Sequence, residues 1–378
     1  MSFSFFSFVL IVVDANVSSF HPRPAQINKN LNPCHEISAR LIRVKPQTQT
    51  LRTRIVSLGS LLWLALNGVA QSDPGPYLLS NLSLASPPLG RTAATDRPPW
   101  PDISTVAPDL EIPPLDQGKP SAGKRVKETL AGWPSDKVYH VLRLPNDWRP
   151  GRHHPVLVEY AGNGGYTNRF GDASTGRPED SKLGYGMSAG RGFIWVCLPY
   201  LNEAGTALAL QWWGDAPAHK AQPTLDYCHQ AVAWICREYD GDTERVVLCG
   251  FSRGAIACNF LGLHDDETAK LWHAFVAFSH YDGVRLWPYP GADRESARAR
   301  LRRLGDRPQF LCAEGDDIEE TGRYLARHAP GGHFTVVPTG FRNHNDAWVL
   351  RPSEARSRLR QWLADVCCSA EGAPPTNP

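Results

Sequence analysis

The sequence predicts an α/β fold, in which a mainly parallel, doubly wound sheet is covered by helices on both faces. Between residues 138 and 366, short apolar runs of strand length alternate with segments of helical periodicity. Most of these runs are continuously apolar, which is typical of strands buried on both faces in a three-layer αβα arrangement. The chain has 378 residues, 42% of them hydrophobic, which is enough for one large α/β domain with tails.

The elements follow in a regular order. The first predicted strand, 138–144, is rich in β-forming residues and ends at a Pro-Asn-Asp turn. Six further apolar runs of strand length are predicted at 155–160, 193–198, 245–249, 273–278, 309–313 and 333–337. Helices with apolar residues spaced along one face, or with strongly charged faces, are predicted at 224–238, 254–263, 294–304, 319–327 and 353–366.

The chain before this domain has a different composition. A basic segment at 52–54, an apolar run at 55–69 and a small-x-small sequence ending at Ala70 together have the pattern of a signal peptide. Because signal peptides begin at the N-terminus, we expect the functional start at Val44 and an exported protein without a stable membrane span after processing. Residues 71–132 are rich in Pro, Ser and Thr and are predicted to be a linker or surface arm. The catalytic domain is expected at 133–368, with a tail at 369–378.

Charge and motifs exclude several classes of function. The 40 basic and 38 acidic residues give a net charge of +2, without the basic surface that nucleic-acid binding needs. The glycine-rich stretch at 161–165 has Thr167 where a dinucleotide fingerprint requires glycine. No HExxH or comparable metal motif occurs, so no metal and no cofactor are expected.

A possible nucleophile lies in the sequence GFSRG at 250–254, which matches the Gly-x-Ser-x-Gly elbow. The motif alone is a weak signal, but here it follows an apolar strand and precedes a helix. A serine on such a strained strand-to-helix turn is presented to substrate, and the flanking glycines relieve crowding. We therefore predict Ser252 as the nucleophile.

A serine nucleophile needs a base and an orienting carboxylate, which in this order of elements come later in the chain. Two successive strands lead into Asp316-Asp317 and into His344, so these residues meet at one edge of the sheet. His344 is the predicted base, with His280 as the alternative. Asp317 is the preferred acid, Asp316 is close behind, and Asp282 is a weaker candidate.

The oxyanion hole needs two donors. The backbone N–H of Arg253 is predicted as the first, and the turn after the 155–160 strand, with Asn163 and Gly164, as the second. Aromatic residues in or beside loops are candidates for substrate contacts, above all Tyr166, Trp213 and Tyr281.

From about 138 to 366 the chain resembles the α/β-hydrolase superfamily, and it is most similar to the branch of feruloyl esterases and polyhydroxybutyrate depolymerases. The resemblance rests on LRLPNDW, on GRHHPVLVEYAGNGG, on the GFSRG elbow and on the Ser, Asp, His order. It implies an α/β-hydrolase fold and ester hydrolysis through an acyl-enzyme. One departure is Ala161-Gly162, where the branch usually has His-Gly.

Three functions are compatible with these features. The first is an exported serine esterase acting on small-molecule or polysaccharide-linked esters. The second is a serine peptidase on the same fold, which the fold alone does not distinguish. The third is a silent binding protein that keeps the elbow but lacks the acid.

Overall fold

The computed structural model describes residues 99–368. The predicted start at Val44, the signal peptide at 55–69, the linker up to residue 98 and the tail at 369–378 lie outside the described residues. Among residues 99–368, no helix is long and apolar enough to span a bilayer.

The centre of the domain is an eight-stranded sheet. Its strands are β1 (Arg125–Glu128), β2 (His140–Arg143), β3 (His154–Tyr160), β6 (Ile194–Leu198), β7 (Gly241–Phe251), β8 (Ala274–Phe278), β9 (Gln309–Ala313) and β10 (Phe334–Pro338). A separate two-stranded hairpin consists of β4 (Tyr166–Thr167) and β5 (Ala173–Ser174).

The helices are α1 (Leu183–Ser188), α2 (Gln222–Glu238), α3 (Arg253–Phe260), α4 (Asp266–Ala269), α5 (Arg294–Arg302), α6 (Asp317–His328) and α7 (Glu354–Cys368). Short 3₁₀ turns lie at Ile103–Thr105, Pro178–Asp180 and Asp346–Leu350.

The strand order in the sheet is β1-β2-β6-β3-β7-β8-β9-β10. Strand β2 is antiparallel to both neighbours, and all pairs from β6 to β10 are parallel. This order, with a single reversed second strand, is that of the α/β-hydrolase fold. The predicted fold class is therefore confirmed.

Two apolar clusters cover the two faces of the sheet. One includes Leu225 and Ile235 of α2 and Ile256 of α3, and the other includes Leu183 of α1 and Leu359 of α7. Strands β3, β6 and β8 are buried along their whole length. Such two-sided burial explains why β6 and β8 are apolar throughout and why the centre of β3, at 155–158, is apolar.

The predicted domain boundary at 133 is too late. Within the segment predicted as a linker, β1 pairs with β2 and buries Val126, which is only 1% exposed. Ile103 is also buried, and Asp109 forms an ion pair with Arg356 of α7. The prolines and short apolar runs of this stretch are typical of a linker, and they conceal a single edge strand.

Candidate active site

Ser252 lies at the sharp turn between β7 and α3. Its backbone has φ 54° and ψ −110°, a conformation that is unfavourable for any residue except glycine. The turn is held by a hydrogen bond from the Ser252 N–H to the Phe278 carbonyl at 2.9 Å. Strand β7 is buried between β3 and β8, so the surrounding sheet maintains the strain.

The two glycines of the elbow are required by close backbone approach. A Cβ on Gly254 would lie 2.0 Å from the Tyr160 carbonyl oxygen, and a Cβ on Gly250 would lie 2.3 Å from the Gly254 backbone. Neither position has room for a side chain, so α3 packs directly against the end of β3.

A chain of polar contacts begins at the nucleophile. The Ser252 Oγ lies 3.0 Å from the His344 Nε2, and the His344 Nδ1 lies 2.6 Å from the Glu314 Oε1. His344 is 9% exposed. The arrangement of hydroxyl, imidazole and carboxylate is that of a serine nucleophile with its base and orienting acid.

The carboxylate in contact with His344 is Glu314, so the preference for Asp317 or Asp316 is wrong. Glu314 is the first residue after β9, whereas Asp316 and Asp317 stand at the start of α6. The Asp316 carboxylate accepts a hydrogen bond from the Trp100 indole, and the Asp317 carboxylate is paired with Arg285 on the surface.

The weaker acid candidate is also elsewhere. Asp282 is buried in an ion pair with Arg300, at 2.7 Å, and does not contact His344. This pair neutralises both buried charges, so Asp282 has a structural role.

A second hydroxyl lies beside the carboxylate. The Ser279 Oγ donates to the Glu314 Oε1 at 3.0 Å and lies 2.9 Å from the His344 Nδ1. Ser279 directly follows β8 and has φ 90°, a value that favours glycine. The other carboxylate oxygen of Glu314 is buried and has no hydrogen-bond partner among the described residues. The serine hydroxyl therefore determines which carboxylate oxygen faces the imidazole.

The electrostatics favour an ionised Glu314. Burial raises its pKa, but the hydrogen bond and charge of His344 outweigh burial and hold the pKa below the ordinary value. His280, the alternative base, lies with its ring centre 5.1 Å from that of His344, and the Ser252 hydroxyl contacts His344 instead. Burial, reinforced by His344, lowers the pKa of His280 to about 4, so its imidazole is neutral at pH 7.

Asp172, which the sequence did not single out, anchors the histidine loop. Its buried carboxylate accepts from the His344 N–H at 3.0 Å and from the side-chain amides of Asn343 and Asn345 at 3.1 and 3.2 Å. Asp172 stands in the β4–β5 hairpin, 172 positions before His344. No local pattern in either segment indicates this pairing.

Of the three predicted oxyanion donors, two are available and the third is not. Arg253 is the first residue of α3, where backbone N–H groups have no carbonyl one turn earlier. The Asn163 N–H has no acceptor among the described residues. The Gly164 N–H, in contrast, donates to the Leu210 carbonyl at 2.7 Å, so the prediction of Gly164 as a donor is wrong.

The aromatic predictions divide between site and core. The Tyr166 ring packs edge-on against His344, with centres 4.9 Å apart. Trp213 is fully buried and stacks on Phe260, and Tyr281 is buried with its hydroxyl bonded to Gln309. The predictions of Trp213 and Tyr281 as substrate contacts are therefore wrong, because an aromatic residue near a loop also serves to close the core.

Trp212 and Trp287, which also belong to the predicted set of aromatic residues in or beside loops, are half-buried and lie nearer to the site. Trp287 packs against His280 at 5.0 Å and against Trp212 at 5.5 Å. Tyr166 packs directly against His344, whereas Trp287 and Trp212 are connected to it through the His280 ring.

A cavity of about 230 Å³ adjoins the site. Its wall includes Gly162 of the turn after β3, Phe251 before the nucleophile and Asp346 after the histidine. Lys182 also lines it and forms an ion pair with Asp346 at 2.8 Å. Within residues 99–368, no group of His, Cys, Asp and Glu side chains has the arrangement of a metal site.

Neither models of known protein families nor curated proteins match this chain. Among solved structures, it is similar to a CE1 ferulic acid esterase from Anaeromyces mucronatus, with 16% identity, coverage of 66% of this chain and 94% of that chain, and a TM-score of 0.42. It is also similar to a fungal esterase from Rhizomucor miehei, with 14% identity, coverage of 65% of this chain and 84% of the esterase, and a TM-score of 0.43. A third similar structure is the AtxE2 isopeptidase, with 16% identity, coverage of 67% of this chain and 41% of the isopeptidase, and a TM-score of 0.42. The match spans 58% of a thermostable esterase and 41% of the isopeptidase, less than two thirds of either chain.

Proposed function

We propose that the protein is a serine hydrolase that cleaves carboxylic esters through an acyl-enzyme intermediate. The observation that carries the proposal is the continuous contact from Ser252 Oγ through His344 to Glu314, at 3.0 and 2.6 Å. Its position on a strained elbow favours a nucleophile over an incidental surface serine.

In the proposed mechanism, the Ser252 Oγ attacks the ester carbonyl carbon while its proton moves to the His344 Nε2. Glu314, bonded to Nδ1, fixes the tautomer of the imidazole and stabilises its protonated form. The backbone N–H groups of Arg253 and Asn163 stabilise the oxyanion. The tetrahedral intermediate collapses, and His344 gives its proton to the leaving alcohol. Water, deprotonated by His344, then cleaves the acyl-enzyme and restores Ser252.

The finer proposal is an ester with a ring near the reacting bond, as the resemblance to feruloyl esterases implies. It is supported by the rings of Tyr166 and Trp287, which border the His344 and His280 imidazoles. Aromatic side chains suit stacking against a sugar or an aromatic acyl group. Export of the protein remains a proposal based on residues 55–69.

Fluorophosphonate labelling of the purified full-length protein, measured by intact mass, tests the activated serine. We expect one adduct on the wild type and none on Ser252→Ala or His344→Ala. A folded wild-type protein that is not labelled would refute the proposal and favour a binding role.

A substrate panel then separates ester from peptide cleavage. Phenyl acetate, methyl ferulate and matched peptide anilides are compared by kcat/KM. We expect turnover of the esters. Methyl ferulate should be preferred over an added control, a methyl ester whose alkyl acyl chain is as long as the feruloyl group. Turnover of the anilides at a rate comparable to the esters would instead favour the peptidase alternative.

A further inference from the structure

The side chain of Arg253 is buried and has no carboxylate partner among residues 99–368. It is 1% exposed and its guanidinium lies 3.8 Å above the Tyr200 ring. Its hydrogen bonds go to backbone carbonyls instead, namely those of Gly162 at 2.9 Å, Gly176 at 3.3 Å, Ala209 at 3.1 Å and Trp212 at 2.5 Å. A single cation therefore joins the helix after the nucleophile to three loops.

Burial lowers the pKa of this guanidinium to about 10, against the opposing effect of Tyr200. The group thus remains charged at pH 7. A buried cation is costly unless its donors are satisfied. Here the two terminal nitrogens donate to four carbonyls, and the buried Nε–H has no partner among the described residues. Lysine, with one ammonium, does not reproduce the planar fork that reaches carbonyls of separate loops.

The contact with Gly162 fixes the orientation of one peptide group. The Gly162 carbonyl and the Asn163 N–H belong to the same planar peptide, and the described chain has its one cis bond elsewhere, at Ala216-Pro217. In a trans peptide the C=O and N–H point in opposite directions. When the carbonyl points at the guanidinium, the Asn163 N–H points away from it.

The rest of this turn is tied to the same loop. The Asn163 side-chain oxygen accepts from the Trp212 N–H at 2.8 Å, and the Gly164 N–H donates to the Leu210 carbonyl at 2.7 Å. Trp212 has φ 52°, so the loop adopts a left-handed conformation where it meets both Asn163 and Arg253. These contacts leave the Asn163 N–H without a partner among the described residues.

We propose that the Arg253 side chain is a positioning residue that aligns the oxyanion hole: its backbone supplies one donor, and its guanidinium orients the peptide that supplies the other. The inference rests on the proposed serine hydrolase function. It assigns to the residue after the nucleophile a role that the Gly-x-Ser-x-Gly pattern leaves open.

The test compares Arg253→Lys with the wild type on an ester and on its thionoester, in which sulfur replaces the carbonyl oxygen. Sulfur accepts hydrogen bonds weakly, so a misaligned hole affects the ester more than the thionoester. We expect kcat for the ester to fall by about 100-fold, as for loss of one oxyanion donor. KM should change by less than about twofold, and the ester-to-thionoester rate ratio should fall by at least about tenfold.

Arg143→Lys is the matched control. Arg143 is also buried, lies over a tyrosine ring (Tyr185) and donates to the carbonyls of Leu144 and Gly190, but it lies on β2. We expect the control to leave the rate ratio unchanged, whatever its effect on stability. Arg253→Gln, which keeps one neutral NH2 group in place of the charged two-pronged guanidinium, is the second variant.

A folded Arg253→Lys or Arg253→Gln protein with an unchanged rate ratio would overturn the proposal. So would failure of both variants to fold, since the side chain would then serve stability. A wild-type protein that hydrolyses neither ester and is not labelled at Ser252 would refute the proposed function itself.

Discussion

Ser279 offers a way to separate activity from stability within the site. Its hydroxyl donates to the Glu314 Oε1, while its backbone has the unfavourable φ of 90°. Ser279→Gly removes the hydroxyl and relieves the backbone strain. Ser279→Ala removes the hydroxyl and keeps the strain. The two variants should therefore share a catalytic defect and differ in stability.

The magnitudes follow from these two contributions. A hydrogen bond to an ionised group contributes about 1.5–3 kcal/mol. If about 1.4 kcal/mol of this is lost in the transition state, kcat falls about tenfold in both variants. A left-handed backbone costs a non-glycine residue about 1–2 kcal/mol, and glycine loses about 0.4–1 kcal/mol through its more flexible unfolded chain. The glycine variant should thus be more stable than the alanine variant by about 1 kcal/mol, or by about 2–4 °C in Tm.

Steady-state hydrolysis of phenyl acetate and thermal unfolding monitored by circular dichroism give the two readouts. The expected result is an equal loss of kcat with a higher Tm for Ser279→Gly. If Ser279→Gly keeps the wild-type kcat, the hydroxyl does not orient Glu314. If kcat and Tm instead change together across the two variants, the loss of kcat comes from reduced stability, and the reasoning is refuted.

Three further predictions concern the acid and the elbow. Glu314→Gln should lower kcat for ester hydrolysis by about 10³–10⁴-fold. Asp316→Asn and Asp317→Asn should leave kcat within about twofold of the wild type. Equal losses of kcat in all three variants would contradict the assignment of Glu314 as the acid. Because the folded pKa of Glu314 lies below the ordinary 4.5, its ionised form stabilises the fold above about pH 4.5, and this stabilisation is lost as pH falls through the folded pKa. The Tm of the wild type should therefore decrease below pH 4.5 more steeply than that of Glu314→Gln, and parallel pH profiles would refute the assignment. Gly254→Ala should destabilise the protein by at least about 3 kcal/mol, because its Cβ would overlap the backbone of β3. Gly322→Ala lies in α6 with nothing within 4 Å of the added Cβ, so it should stabilise the protein by about 0.5–1 kcal/mol. The free energy of unfolding of both variants, measured in urea, checks these opposite signs.

The sheet could be predicted because its strands are buried on both faces. The apolar runs at 155–160, 193–198 and 309–313 coincide within one residue with β3, β6 and β9. Strand β1 could not be predicted in this way. It lies at the edge of the sheet, has four residues with the sequence RVKE, and buries the charged Arg125 beside Val126. Edge strands need less apolar surface, and their sequences resemble those of loops.

The nucleophile and base could be predicted because both depend on local order along the chain. Ser252 follows a strand and precedes a helix, and His344 follows the last parallel strand. The turn after β3 could be predicted as part of the oxyanion hole for the same reason. Which of its N–H groups is available could not be predicted, because the Leu210 carbonyl that accepts from the Gly164 N–H belongs to a distant loop. Contacts across loops of irregular structure leave no periodic signal in either partner.

The identity of the acid shows how side-chain length and chain position offset each other. An aspartate has one methylene fewer than a glutamate, and the predicted aspartates lie three and four residues beyond the end of β9. There the chain already begins α6, and Asp316 and Asp317 stand at its N-terminus, where carboxylates are favoured by the helix dipole. The longer side chain of Glu314 reaches the His344 Nδ1 from the first position after the strand, before the chain turns away. The available signal was therefore an acidic residue directly at the strand end, and the aspartates that follow it are explained by the helix they begin.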